Sequence, residues 1–392
     1  MSHPRRIAFV APRFPEGPTV GGAETLLRRL AEQVSRDGCS VEFLTTCAQD
    51  HFTWANVVPP GTRKEGGLTV RYFPVDENRD LATFHAIQNR ISRGSAVSPE
   101  EEMTWLRNNV NSTPLYEHLQ REGLQYDRIV MGPYLFGLIY FASRIHPGRT
   151  LLVPCLHDEP FAYLSAMADM FHTVSGCLFN APPERDLAIR LYGIPSSASR
   201  VIGMGLEPFQ PDPAAFLRRH PLPVPFLLYS GRREPLKGTP LLLDYLDVFR
   251  RRTARDLRLV LTGTGAVEPP PSLAGFVHDL GFVTEEEKHD AMAAALAFCH
   301  PSVNESFSIV LMESWLAGTP VLVHAGGDVM PFHCRQSNGG LWFRNYPEFE
   351  EATMLLLTQP DVRNRMAASG RQYVLRNYNW KSVGQRLAEA LA

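Results

Sequence analysis

Two glutamates with seven residues between them, Glu305 and Glu313 in Glu-Ser-Phe-Ser-Ile-Val-Leu-Met-Glu, stand where an apolar stretch opens. Read as one helix, eight positions are slightly over two turns, which sets the carboxylates within about 80° of each other on the helical wheel. They then lie roughly 12 Å apart along the axis and look toward one pocket. Such a spacing suits a long, two-headed ligand. A nucleotide-sugar fits, with its sugar at one carboxylate, its ribose at the other and its diphosphate on the helix N-terminus between them. The helix is expected to start near Ser308, where free backbone N–H groups and the helix dipole favour an anion. The structural alternatives are that Ser306 and Ser308 are N-caps, Glu305 a dipole partner and Glu313 a solvated carboxylate.

Other groups could serve the same chemistry. Ser230-Gly-Arg-Arg-Glu-Pro-Leu-Lys-Gly238 follows a strand-like run and carries Arg232 and Lys237. A planar guanidinium fork and a mobile ammonium are complementary ways to hold diphosphate oxygens; a solvated turn is the plainer reading. Of 39 basic residues only Lys64, Lys237, Lys288 and Lys381 are lysines, so a lysine here stands out against arginine as the default cation. Gly21-Gly22-Ala23-Glu24 lets backbone approach a phosphate at a helix start, without completing G-x-G-x-x-G. Thr262-Gly-Thr-Gly265 is a common strand exit. His157-Asp158 closes a strand at the edge where ligands bind in parallel sheets. No Asp-x-Asp, H-E-x-x-H, Cys/His cluster, P-loop or Gly-x-Ser-x-Gly occurs. No metal is therefore expected, and leaving-group charge is expected to fall to Arg232, Lys237 and helix amides.

These residues need a frame. At 392 residues the chain is long enough for two domains, and 44% hydrophobic with 20% charged residues is a globular composition. A net charge of −2 offers no general attraction to nucleic acid; weak peripheral contact with a membrane surface is left open. No secretory signal or membrane span is read, and the six cysteines (39, 47, 155, 177, 299 and 334) form no C-x-x-C pair. A cytoplasmic protein with reduced, buried thiols is expected.

The first half alternates apolar strands with amphipathic helices. Strands are expected at Arg6–Ala11, Val41–Thr46, Leu68–Val75, Asp127–Met131, Thr150–Leu156, Gly176–Phe179 and Arg200–Ile202. Ala23–Asp37 is expected as a helix and residues 81–122 as largely helical. This alternation implies a parallel sheet with helices on both faces. Prolines 208, 211, 213, 221, 223 and 225 read as a linker that neither helix nor sheet can cross. The pattern then restarts from Phe226–Ser230 and runs to Pro320–His324, with a helical tail from Asp361. The expected fold is α/β: two Rossmann-like, doubly wound domains facing a cleft. The first covers 1–207 with a C-terminal helix of about 376–392 packed back on it, the linker 208–225, and the second 226–375.

Taken in order, several stretches resemble the GT-B retaining glycosyltransferases of family 4, best known from bacteria. They are Gly21-Gly22-Ala23-Glu24, Leu156-His157-Asp158, Gly231-Arg232 with Lys237-Gly238, Leu280-Gly-Phe-Val283, His300-Pro-Ser-Val-Asn-Glu305 through Glu313-Ser-Trp-Leu-Ala-Gly-Thr-Pro320, and Tyr378-Asn379-Trp380. The resemblance implies a metal-independent hexosyltransferase that moves a sugar with retention from a nucleotide-sugar, a UDP- or GDP-sugar being the expected donor. The acceptor would be a glycan, a lipid-linked or a small molecule, and polysaccharide biosynthesis the setting, with the protein cytoplasmic or at the inner face of a membrane. It further implies that Arg232 and Lys237 bind the diphosphate, Glu313 the ribose and Val283 the base. Glu305 would sit by the sugar, and the amides of Phe307, Ser308 and Ile309 by phosphate or sugar hydroxyls. His157 would lie near the reacting centre, and Gly21 and Gly22 would close on the phosphate. Ser308 departs from the family's usual glycine, and Gly326-Gly-Asp-Val-Met-Pro-Phe lacks the glutamate often found there. An epimerase on the same scaffold, or a silent nucleotide-sugar-binding protein, uses the same residues.

Overall fold

The computed structural model describes residues 4–14, 21–222, 225–233 and 237–392. The glycine- and proline-rich loop at 15–20, Pro223 in the expected linker and Glu234-Pro-Leu in the cation loop lie outside the described residues. The chain divides into two compact units, residues 1–205 with 383–392, and residues 206–382.

The first unit holds β1 (Arg6–Val10), β2 (Ser40–Thr46), β3 (Gly61–Glu65), β4 (Leu68–Phe73), β5 (Arg128–Met131), β6 (Thr150–Leu152), β7 (Gly176–Phe179) and β8 (Ser199–Val201). Among the described residues they form one sheet in the order β3-β4-β2-β1-β5-β6-β7-β8. Every pairing is parallel except β3 with β4. The central strands are covered on both faces, so β1 reads as an unbroken apolar run, with Ile7 to Val10 wholly buried. The helix Gly22–Arg36 lays Leu26, Leu27, Leu30 and Val34 against the sheet, as its 3.6-residue period requires. From the C-terminal helix Trp380–Leu391, Val383, Leu387 and Leu391 are buried. Arg386 Nε donates to the Ile202 carbonyl at 3.0 Å, and Arg5 to the Leu391 carbonyl at 3.2 Å.

In the second unit β9 (Phe226–Ser230), β10 (Arg258–Thr262), β11 (Val277–Asp279), β12 (Ala297–His300), β13 (Val321–His324) and β14 (Gly340–Phe343) pair in parallel, in the order β11-β10-β9-β12-β13-β14. This is the doubly wound order. Its switch point lies between β9 and β12, where connections leave in opposite directions and open a crevice at the strands' carboxyl ends. Both units thus have the parallel α/β architecture expected from the alternation.

The proline-rich stretch is not the featureless linker expected. Pro213–Arg219 is helical, because Pro213 sits at the first helical turn, where its missing N–H has no partner to lose. The Asp212 side chain caps it, accepting from the Ala215 N–H at 2.8 Å. A second difference bears on the site. The helix expected to hold both glutamates spans only Ile309–Leu316, and Glu305 lies in the loop before it. Ser308 has φ +64°, a left-handed backbone that stops the helix from extending toward residue 305.

Candidate active site

The crevice of the second unit collects the cation loop after β9 and the loop after β12. At its centre Glu305 Oε1 meets two nitrogens, Lys237 Nζ at 2.8 Å and His300 Nε2 at 3.0 Å. Burial alone would raise the Glu305 carboxyl. The ammonium beside it, with the hydrogen bond and charge of His300, overrides this and holds it well below the usual carboxylate range. His300 ends β12, and Lys237 is carried past it by Gly238. That glycine has φ +75°, and a Cβ there would stand 2.8 Å from the Pro301 carbonyl oxygen. Glycine is what allows the two loops to touch.

Glu313 belongs to a different arrangement. Its Oε2 lies 2.9 Å from Lys288 Nζ, which projects from the helix Glu285–Ala294, and its Oε1 lies 3.7 Å from His289 Nε2. Lys288 also meets Glu285 at 2.8 Å. Desolvation opposes the ionised form of Glu313, yet Lys288 and His289 hold its pKa below the ordinary value. The expectation of two carboxylates on one helical face is therefore corrected: each is neutralised by its own lysine, from a separate element. Donor atoms of Glu285, His289 and Glu313 lie within 4.8 Å of one another, a spacing a metal could use. The Lys288 ammonium already lies against both glutamates.

Buried polar atoms without a partner gather along the same strand ends. Thr262 Oγ1 closes β10, His300 Nδ1 closes β12, and Ser302 Oγ and Ser308 Oγ follow it; all four side chains are buried and these atoms have no hydrogen-bond partner. Such groups are rare in folded proteins, because each costs about 1–3 kcal/mol. Several within one loop cluster leave hydrogen-bonding capacity there that a ligand could use. Ser308 also precedes the helix whose first amides lack intrahelical acceptors. The Phe307 side chain points into the core, edge-on to Tyr378 at 5.0 Å and His333 at 5.8 Å, so only its backbone could serve a ligand. Ile309 and Val283 are half-buried, Ile309 at the helix start and Val283 in the loop after β11.

Arg232 is half-buried, and its carbonyl accepts from the Tyr229 hydroxyl at 2.6 Å. The neighbouring Arg233, not singled out from sequence, is the structural cation of this loop. It donates to the Gly263 and Gly265 carbonyls, both at 2.8 Å, and to Asp279 at 2.5 Å. That gives Thr262-Gly-Thr-Gly265 its purpose. A Cβ on Gly263 would stand 2.1 Å from the Gly231 carbonyl oxygen, so the two strand exits run in backbone contact.

Gly21, Gly22 and His157 belong to the first unit. Gly21 caps the helix Gly22–Arg36 with an ordinary backbone (φ −92°); a Cβ there would meet Glu24 Oε2 at 2.4 Å. Glu24 is buried and gripped by Arg13 Nη2 at 2.6 Å, a pair the sequence reading missed. His157 follows β6, which ends at Leu152 rather than Leu156, and its Nδ1 lies 3.5 Å from Glu159. Its loop is fixed by Glu184, a fully buried carboxylate that accepts the Leu156 N–H at 2.7 Å and the Asn180 N–H at 2.6 Å. Burial pushes the Glu184 carboxyl up to about 8, against the pull of those amides.

Residues 217–373 match the family model described as glycosyl transferases group 1. A D-inositol 3-phosphate glycosyltransferase of Frankia alni is 32% identical over 373 residues, covering 79% of this chain and 90% of the relative. The chain belongs to the group 1 glycosyltransferases. Among solved structures, sucrose-phosphate synthase from Thermosynechococcus elongatus superimposes with a TM-score of 0.74 at 17% identity, over 98% of both chains. Anabaena Alr3699/HepE, in complex with UDP and glucose, gives 0.72 at 16% identity over 99% of both. The fold of this glycosyltransferase is therefore GT-B, and its activity is glycosyl transfer. In the described residues no helix is long and apolar enough to cross a membrane.

Ser308 gives this glycosyltransferase a measurable cost. A non-glycine residue in left-handed backbone loses about 1–2 kcal/mol, and its buried hydroxyl is unpartnered. Ser308→Gly is expected to raise ligand-free stability by about 1 kcal/mol net of glycine's greater unfolded entropy. That is roughly 2–4 °C in melting midpoint for a unit of this size. Thermal melts without ligand check it; a lowered midpoint would mean that the hydroxyl has a partner after all.

Proposed function

We propose that this transferase moves a sugar from a nucleotide-diphosphate sugar, a UDP-sugar in the first instance, to an acceptor hydroxyl, with retention and without a metal. The observation that carries the reading is the crevice at β9 and β12. Orphaned polar atoms, a helix N-terminus and the Lys237–Glu305–His300 cluster converge there, on the edge where doubly wound sheets bind nucleotides. The Anabaena neighbour holds UDP and glucose on the same fold, and the Frankia relative is named a D-inositol 3-phosphate glycosyltransferase.

In this reading Arg232, Lys237 and the amides of Phe307–Ile309 receive the diphosphate. They stabilise charge as the bond between the anomeric carbon and the phosphate oxygen breaks. The acceptor oxygen bonds to the same face of that carbon, and its proton passes to the departing phosphate oxygen. Glu305 orients the sugar instead of attacking it, because two nitrogens on Oε1 blunt that oxygen as a nucleophile. Glu313 takes the ribose hydroxyls, Val283 lies by the base, His157 contacts the sugar, and Gly21 and Gly22 approach the phosphate. Positive charge supplied by lysine and arginine is what would make a metal dispensable. The acceptor classes are a glycan, a lipid-linked molecule or a small polyol, met in the cytoplasm.

Thermal-shift titration with UDP, GDP, ADP and dTDP tests the donor side, since a ligand of the folded state stabilises by mass action. A shift with UDP is expected, followed by a product whose anomeric configuration by NMR equals that of the donor. No shift with any nucleotide, or an inverted product, overturns the reading.

A further inference from the structure

The first unit carries a cavity of about 460 Å³ beside the His157 loop, lined among others by Ile91, Val97, Glu102, Asp158, Glu159 and Tyr163. Val97, Glu102, Tyr163 and Leu164 are shared with a neighbouring cavity of about 390 Å³. Each volume is on the scale of a small-ligand site (about 300–1,000 Å³). Their chemistry is lopsided. Among the described residues the linings include three carboxylates and no lysine or arginine.

Tyr163 is the telling residue. The residue is 63% exposed, which is uncommon for a large aromatic. Yet it is not loose. Its hydroxyl donates to Asp158 Oδ1 at 2.7 Å, and the other Asp158 oxygen accepts from Arg190 at 3.0 Å. Nor are the acidic walls adventitious. Glu102 accepts from the Ser165 N–H, the Ser165 hydroxyl and the Ala166 N–H at 3.1, 2.7 and 2.8 Å, and Glu159 accepts from the Tyr134 hydroxyl at 2.8 Å. An anchored, exposed aromatic residue beside apolar side chains and carboxylates in one lining is what a sugar ring needs. C–H bonds lie on the aromatic face, and hydroxyls donate to carboxylates.

We propose that this cavity seats the acceptor, and that the acceptor is an uncharged glycoside or polyol rather than a phosphorylated one. The proposal rests on the glycosyl-transfer reading and deepens it. A phosphate monoester entering here would meet three carboxylates, of which Asp158 alone is paired with an arginine, Arg190; the excess of negative charge is the repulsive element by which a site rejects a partner. The Frankia relative is named for a phosphorylated acceptor, so this chain departs from it on the acceptor side.

Saturation-transfer NMR on the full chain tests this, with methyl α-D-glucopyranoside and myo-inositol as neutral probes and glucose 6-phosphate as the anionic one. Transfer to a neutral probe is expected, undisturbed by equimolar glucose 6-phosphate. It should weaken about tenfold (~1.4 kcal/mol) in Tyr163→Ala and vanish in Ala96→Trp, which adds bulk from an exposed position on the cavity wall. Circular dichroism melts of both variants verify folding. The idea is overturned if neither neutral probe shows transfer, if glucose 6-phosphate competes as well as they do, or if Tyr163→Ala binds like the parent. A UDP thermal shift on the same preparation separates the two failures: loss of UDP binding with glycoside binding intact sinks the donor assignment and leaves the acceptor cavity standing.

Discussion

Lys237→Ala lowers kcat/KM by roughly 10²–10³ while the protein stays folded and soluble. Two losses combine. In the proposed reading the diphosphate loses a point charge, and Glu305 loses the ammonium on its Oε1 and keeps His300 Nε2. With the ammonium gone, burial is opposed by His300 alone of the two nitrogens, and the Glu305 carboxyl moves up from its depressed value. A folded-state pKa depressed below the unfolded one contributes stability above the unfolded pKa and loses it as pH falls through the folded value. The parent second unit should thus keep this contribution well into the acid range, and the variant should begin to lose activity and stability at a higher pH. Lys237 and Glu305 are 24% and 15% exposed, so the stability loss stays below the about 3–5 kcal/mol of a fully buried pair. Steady-state kinetics between pH 4 and 8 decide; near-normal turnover with an unchanged acid limb removes Lys237 from the site.

The larger stability effect belongs to Lys288→Ala. Lys288 and Glu313 are 13% and 11% exposed, and removing the lysine leaves a buried carboxylate with His289, 3.7 Å away, in place of an ammonium. A loss of about 3 kcal/mol is expected, or roughly 6–12 °C in the midpoint of the second unit. The pH signs follow from both partners. The Glu313 pKa is depressed, so its share is present above the ordinary carboxylate range and disappears as pH falls through the lower folded value. The Lys288 pKa is raised, although desolvation opposes this, so its share persists through neutrality and disappears only as pH climbs past the ordinary lysine range. The variant loses both limbs. Pairing it with Glu313→Gln should recover much of the stability, because no buried charge is then left alone. Thermal melts from pH 4 to 10 measure this. A single variant as stable as the parent means that the pair is solvated and that Glu313 has another counter-charge.

Much of the frame could be read from residue order because it rests on burial. β9 and β12 begin and end where the apolar runs Phe226–Ser230 and Ala297–His300 do, since strands covered on both faces tolerate few polar residues. β3 escaped notice for the opposite reason: Gly61-Thr-Arg-Lys-Glu lies at the sheet edge, where no alternation of apolar residues is demanded. In the site, the identities of Lys237, Glu305 and Glu313 could be found from composition and resemblance, but their partners could not. Lys288 reaches Glu313 from another helix, and Arg13 reaches Glu24 across the first loop; periodicity does not encode pairings between elements. The helical-wheel expectation failed at one residue. Ser308 turns left-handed, and everything before it leaves the helix axis.

The scarcity of lysine now has a practical reading. Lys64 and Lys381 are exposed and outside the candidate site, whereas Lys237 and Lys288 are each tied to one of its two glutamates. The enzyme offers amine-selective reagents four lysine ammoniums, two of them exposed and two ion-paired. Acylation mapping by mass spectrometry would therefore behave as a built-in footprint, with two bystander lysines as internal references and two reporters whose labelling rates should follow occupancy of the proposed nucleotide site.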